Sequence, residues 1–263
     1  MEATLSGTPP RFGPVQVGLM VSLLVVAAAA WVVTGDRMGG MDAGPGTELG
    51  GLGWFAVVWV TMMAAMMLPS IAPMVLAHAR VQIGATPAFV AGYLLTWAAV
   101  GTIAYALVEG VRSLGLGVLA WDDAGPYVAG GAILAAALYQ LSRPKDRNLR
   151  RCRNTGAFVS AHWRPGQIGA LRTGIEHGRL CVGSSWALMA ALFALGVMSV
   201  GWMAFVAALI AAEKLLPWRT VATRGIAILL AVLGIAIAFA PDDVPGLTAP
   251  SDAAPAMQEM GME

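Results

Sequence analysis

Residues 52–77, LGWFAVVWVTMMAAMMLPSIAPMVLA, contain no charged side chain, and how they are read decides the fold. A helix that crosses a bilayer needs about 20 mostly apolar residues, with a range of roughly 17 to 25, so this stretch is long enough for one crossing. Pro69 and Pro73 each remove a backbone donor late in the run, which predicts a kink or a re-entrant end there. Similar apolar runs extend on both sides. They cover 15–34, 87–108, 125–141, the long stretch 181–217, which divides at a turn near 198–201, and 222–240. The expected fold class is therefore all-α: a polytopic transmembrane helix bundle of about seven spans. The run at 15–34 follows only Arg11 and lacks a small-residue cleavage site, so it reads as a retained helix and not a signal peptide.

Composition agrees with this reading. Of 263 residues 58% are hydrophobic and 12% are charged, and mean hydropathy is +0.71; a soluble globular chain carries roughly a quarter charged residues. No soluble-length stretch separates the apolar runs, so one domain is expected. It comprises a cytoplasmic segment 1–14, a bundle 15–240 with a basic cytoplasmic loop at 142–180, and a disordered extracytoplasmic tail 241–263. That tail is rich in Pro, Ala and Asp and has no apolar periodicity.

Charge sets the expected orientation. With the N-terminus inside, Arg11, Arg80, nine basic residues from Arg143 to Arg179, Lys214, Arg219 and Arg224 all fall in the cytoplasm. Only Arg37 and Arg112 fall outside. The reverse orientation would place two basic residues inside against fourteen outside, which the positive-inside rule disfavours. The expected location is a bacterial inner (plasma) membrane, crossed several times with the C-terminus outside.

Soft metal-ligand types gather in two of the runs. At 3.6 residues per turn, Met63, Met67, Ser70, Met74 and His78 lie near one stripe, flanked by Met62 and Met66. Thioethers favour Cu(I) among common metals, and imidazole can join them. Unbranched Met also fills irregular packing beside a proline kink, and that alternative stays open. His177 and Cys181 are four residues apart, so one helix face can present both to one ion. Two ligands do not close a metal site, and the remainder must come from another helix, with Met63, Met67 or His78 as candidates. Met38, Met41, Met257, Met260 and Met262, beside carboxylates in outer segments, are weaker candidates. Two cysteines, Cys152 and Cys181, are too few for a disulfide framework. On this topology both sit where thiols stay reduced.

Catalytic signatures are absent: there is no GxxxxGK[ST], dinucleotide fingerprint, HExxH or GxSxG. Charges inside the runs are scarce, with Glu109 and Glu213 near their ends. A non-enzyme is expected, and no nucleic-acid partner.

The residues Trp59 with MMAAMMLPSIAPM, Tyr139-Gln140, Cys152-Arg153 and GIEHGRLCVGSSWALMAALFALGVMSVGWM, ending at Glu213-Lys214, carry a resemblance. Over roughly 38–217 the chain resembles a bacterial family of predicted metal-binding integral membrane proteins, catalogued as a domain of unknown function. The resemblance implies a polytopic bundle and a ligand set at Met66, Met67, His177 and Cys181. Relatives in that family carry a Cys-Cys pair where Ser184 and Ser185 stand, and another Cys near Asn148, so a site built on those thiolates is weakened here.

The leading expectation is a membrane protein that binds or handles a soft transition metal, copper first, as Cu(I). Its candidate ligands are Met63, Met66, Met67, Met74, His78, His177 and Cys181. Two rivals stand beside it: a structural or assembly subunit of a membrane complex, and a small-solute permease. The lipid bilayer is the expected partner, with a membrane-protein partner or a second copy of the chain as further candidates.

Overall fold

The computed structural model of the chain describes residues 13–38, 50–113, 125–195 and 199–241. All secondary structure among these residues is helical. The expectations for the first twelve residues, for Met41 and for the Met-bearing tail lie outside them. The long helices are α1 (Pro14–Met38), α2 (Leu52–Gln82), α3 (Thr86–Ser113), α7 (Gly166–Leu195) and α9 (Arg219–Phe239). Shorter ones are α4 (Gly125–Gln140), α5 (Arg143–Arg153), α6 (Thr155–His162) and α8 (Val200–Leu215).

Four stretches, not seven, are long and apolar enough to cross a membrane: Pro14–Arg37, Leu52–Gly110, Gly166–Leu195 and Arg219–Phe239. Two features account for the difference. Leu52–Gly110 is one stretch of 59 residues that holds both α2 and α3. Helices α4 and α8 have 16 residues each, about 24 Å at 1.5 Å per residue, whereas the hydrocarbon core is about 30 Å thick. The expected division of 181–217 falls where α7 gives way to α8.

Neither proline ends α2, which continues through Pro69 and Pro73 to Gln82. Ser70 Oγ donates to the Met67 carbonyl at 2.8 Å in that turn. Flanking helices cover the region and leave Met62–Leu68 and Met74–Leu76 almost wholly buried.

The segment expected as a basic loop, 142–180, is mostly helix. Ser142 Oγ accepts from the Lys145 backbone N–H at 3.4 Å, with Pro144 in the first turn of α5. Asn154 Oδ1 accepts from Ala157 N at 3.3 Å and starts α6. Arg and Lys are good helix formers, and the Arg150–Asp146 pair adds support four residues apart. Lys145, Leu149 and Cys152, at i, i+4 and i+7, turn the inner face of α5 into the bundle.

The helices pack in pairs: α1 with α2, α3 with both α2 and α7, α4 with α9, and α5 with α7. Small residues permit the close approach. A Cβ at Gly92 would strike the Leu171 carbonyl, and one at Gly174 the Phe89 carbonyl, so both glycines are required where α3 meets α7. Trp59 Nε1 donates to the Trp97 carbonyl at 2.7 Å and ties α2 to α3. Together these contacts hold α2, α3 and α7 around one core.

Gly174→Val is expected to force α3 from α7 and to lower stability by about 1–3 kcal/mol, the usual cost of overpacking. Gly131→Ala is the control, since a Cβ there meets nothing within 4 Å. Thermal unfolding in detergent compares the two, and coincident melting curves would show that the close approach is not needed.

Candidate metal centre

The inner face of α7 presents His177, Cys181 and Ser184, all buried, because residues four and three apart share one side of a helix. Cys152 from α5 reaches the same point, near enough to Cys181 for the two thiols to influence each other's ionisation. Its sulfur lies 3.8 Å from His177 Nε2. Tyr93 Oη from α3 shares a 3.0 Å hydrogen bond with Cys181 Sγ. Lys214 Nζ from α8 donates to Cys181 Sγ at 2.7 Å and approaches Ser70 Oγ of α2 at 3.5 Å. Five helices therefore supply groups to one buried cluster.

Beside the sulfurs lies a cavity of about 30 Å³, lined by Ser70, Met74, Cys152, Arg153, His177 and Lys214 among others. A space of about 10–15 Å³ already admits a water, so this one has room for an ion but not for an organic solute. Rings enclose His177. The centroids of Phe158, Phe89 and Tyr93 lie 5.2, 6.0 and 6.1 Å from its own. Its Nδ1 is buried without a hydrogen-bond partner among the described residues. The neighbouring Cys181, with burial, pushes the Cys152 thiol above its usual pKa.

The candidate ligands read from sequence are all buried, but they do not share one place. Met74, His177 and Cys152 line the same small cavity, and Cys181 lies one turn from His177 on α7. Met67 is seven residues from Met74, about 10 Å along α2, and Met66 and Met63 are farther still, so one ion cannot bind them and Met74 together. His78 lies one turn beyond Met74. It stacks on Phe89 at 4.9 Å, Nδ1 is 3.4 Å from Thr86 Oγ1, and Nε2 has no partner among the described residues. Ser184 donates to the Cys181 carbonyl at 2.9 Å and lies 3.4 Å from Ser185 Oγ, so this pair serves the helix and each other. Among the described residues no three or more His, Cys, Asp or Glu side chains form a group able to hold a metal. Cys152, His177 and Cys181 therefore do not stand as a ready-made ligand triad, and a site that uses them needs their side chains to draw together around the ion.

Sequence reasoning did not place Cys152, Tyr93 or Lys214 in this cluster. Lys214 was detectable, since an ionisable residue within a 37-residue apolar run is a functional candidate by default. The burial spacing of 145, 149 and 152 was the corresponding signal for Cys152, masked by the many arginines around it.

A second polar cluster holds α5 against the bundle. Lys145 is fully buried, with its ammonium paired to Glu213 and bonded to Gln140 Oε1. Gln140 Nε2 donates to Glu213 Oε1 at 3.0 Å. Burial pulls the Lys145 pKa below its usual value, and the Glu213 carboxylate opposes that pull. Arg153 donates to the carbonyls of Glu213 and, at 2.7 Å, Leu216, closing the end of α8. Arg219 pairs with Asp146 and links α9 to α5.

A family model described as PpoB2, copper chaperone, matches residues 56–237. The matched span contains every group of the cluster. No curated protein and no solved structure matches the chain.

Glu213→Leu would leave the Lys145 ammonium buried without its counter-charge and is expected to lower stability by about 3–5 kcal/mol. Lys145→Met combined with Glu213→Leu should recover most of that loss. Thermal unfolding of both in detergent is the measurement. A double variant no more stable than the single one would mean that the two charges are not coupled.

Proposed function

Because the chain belongs to the PpoB2 copper chaperone family, we propose that it is a multi-pass membrane protein which carries Cu(I) as cargo, bound by Cys152, Cys181 and His177 with Met74 closing the site. The reading rests on one observation: the Cys152 thiol, the His177 imidazole and the Met74 thioether, from α5, α7 and α2, line one cavity with room for an ion, and Cys181 lies one turn along α7 from His177. Soft sulfur ligands select Cu(I), whereas a structural zinc site would ask for four Cys, His or carboxylate ligands. Charge balance supports the same ion. Cu(I) on two thiolates has a net charge of minus one, and the Lys214 ammonium against Cys181 cancels it, so the loaded site is neutral where burial penalises charge most.

The four candidate spans and the apolar outer faces of α1 and α9 support residence in a bacterial inner membrane. The positive-inside rule favours the cytoplasm for α5, α6 and the basic start of α7; with the N-terminus on the same side, the 16-residue α4 must then bring the chain back across, as a short helix does where the bilayer thins. Cargo would enter from the cytoplasmic side, where thiols stay reduced. Met67, Met66 and Met63, stepping away along α2, supply further thioethers toward the opposite face. No bond is made or broken in a substrate beyond metal coordination, so the activity is carriage and not catalysis. Its recipient would be a membrane or extracytoplasmic protein, and no nucleic acid takes part. The solute-permease alternative fits poorly, since the cavity beside Ser70 and Met74 is too small for a solute.

Anaerobic titration of the purified chain against a chromogenic Cu(I) chelator tests the reading. Cys181→Ser, Cys152→Ser and His177→Ala are each expected to weaken binding by about 100-fold or more, beyond the 10–100-fold typical of losing an outer partner. Met74→Leu should weaken it less, and Met63→Leu should leave it unchanged. Stoichiometric binding that survives both cysteine substitutions would rule the site out.

A further inference from the structure

A second and larger cavity, of about 570 Å³, opens between α5, α6 and α7. Small-molecule sites span roughly 300–1,000 Å³, so the space suits an organic ligand and not a bare ion. Its walls include Arg150, Arg151, Asn154, Phe158, His162 and Glu176. The single carboxylate among these is engaged elsewhere, Glu176 lying 3.7 Å from the Arg179 guanidinium. Arg150 shares its charge with Asp146 yet remains 64% exposed, and Arg151 makes no ion pair among the described residues. Two guanidinium groups facing one cavity favour an anion, above all a carboxylate, which Arg can bind through two parallel hydrogen bonds.

The position of the cavity is as informative as its charge. Three of its lining residues immediately precede the three candidate ligands: Arg151 before Cys152, Glu176 before His177, and Leu180 before Cys181. Successive residues on a helix are turned by about 100°, so each lining residue hands the next position to the flank that enters the bundle. Phe158 lines the cavity and meets the His177 ring edge-on, with centroids 5.2 Å apart. Cavity and cysteine cluster thus share a wall one side chain thick.

We propose that this cavity receives the copper donor as an anionic Cu(I) complex of a small carboxylate-bearing thiol, an inference that rests on the copper reading above. Cu(I) held by two thiolates is already anionic before carboxylates are counted, which matches the two arginines. Transfer is ligand exchange. A Cu–S bond to the donor breaks as one to Cys152 forms, the Cys152 proton leaves on the departing donor thiolate, and copper remains Cu(I), so no electron moves. A second exchange of the same kind, in which Cys181 replaces the remaining donor thiolate and its proton leaves on that thiolate, completes the passage past Phe158.

The full chain in detergent, under anaerobic conditions, is offered Cu(I) either as its anionic glutathione complex or as its cationic acetonitrile complex. Arg150→Glu with Arg151→Glu is expected to slow uptake from the glutathione complex about tenfold or more, the scale on which charge steering alters association. Uptake from the acetonitrile complex should hold its rate or rise. Arg150→Gln with Arg151→Gln, which removes charge without inverting it, should produce a smaller slowing with the same selectivity, and far-UV circular dichroism checks that both variants fold. Equal slowing for both donors, or none for either, overturns the proposal. A slowing that follows the anionic lipid content of nanodiscs and not the donor would assign the arginines to headgroup phosphates and overturn it too. Failure of the unsubstituted chain to take copper from either donor would sink the underlying copper reading instead.

Discussion

One sulfur atom joins the parts of this molecule. Cys181 shares hydrogen bonds with Tyr93 from α3 and Lys214 from α8, and Cys152 from α5 lies beside it. A thiol is a weak hydrogen-bonding group, so two such partners around one sulfur are more than packing alone requires. The arrangement makes sense if the atom must be held ready to act as a ligand. Its neighbours then do different work: Cys152 offers a second soft donor, Lys214 supplies compensating charge, and Tyr93 fixes direction from the far side.

Two conditions make that convergence possible. The first is the close contact of α3 with α7, which glycine alone permits at Gly92 and Gly174 and which brings Tyr93 within reach of Cys181. The second is the anchoring of α5, a helix too polar to enter the bundle by hydrophobic burial. Its Lys145 is drawn in by Glu213 and Gln140, its Arg153 closes the end of α8, and its Asp146 is paired with Arg219. A buried ion pair adds little net stability against an apolar replacement, but it specifies where a helix must sit. Here it sets the position of Cys152.

The fold was legible in the sequence to the extent that it depends on apolar runs. The runs at 15–34, 52–77 and 87–108 lie inside observed helices and 222–240 overruns α9 by one residue, because long apolar stretches leave the backbone no other way to satisfy its polar groups in an apolar setting. Span number was less legible. Apolar length does not reveal that α4 and α8 stop at 16 residues, or that α2 runs through two prolines. The start of the segment 142–180 looked like a charged connector because the five arginines of α5 outnumber its three residues that turn inward. Of the candidate ligands, Met74, His177 and Cys181 were in view, but the stripe also took in Met63, Met66 and Met67, since periodicity reports a shared face and is silent about distance along it.

By itself, the sequence determined that the chain is helical and apolar and that soft donors are concentrated on α2 and α7, since residue type and helical period are local properties. Only tertiary structure decided which donors meet. Cys152 and Cys181 are 29 positions apart, Lys214 is 33 beyond Cys181, and Ser70 is 144 before Lys214; their contact depends on helix crossings set by glycine backbones and a buried ion pair. Such crossings arise from steric fit between distant segments, which no window along the chain contains.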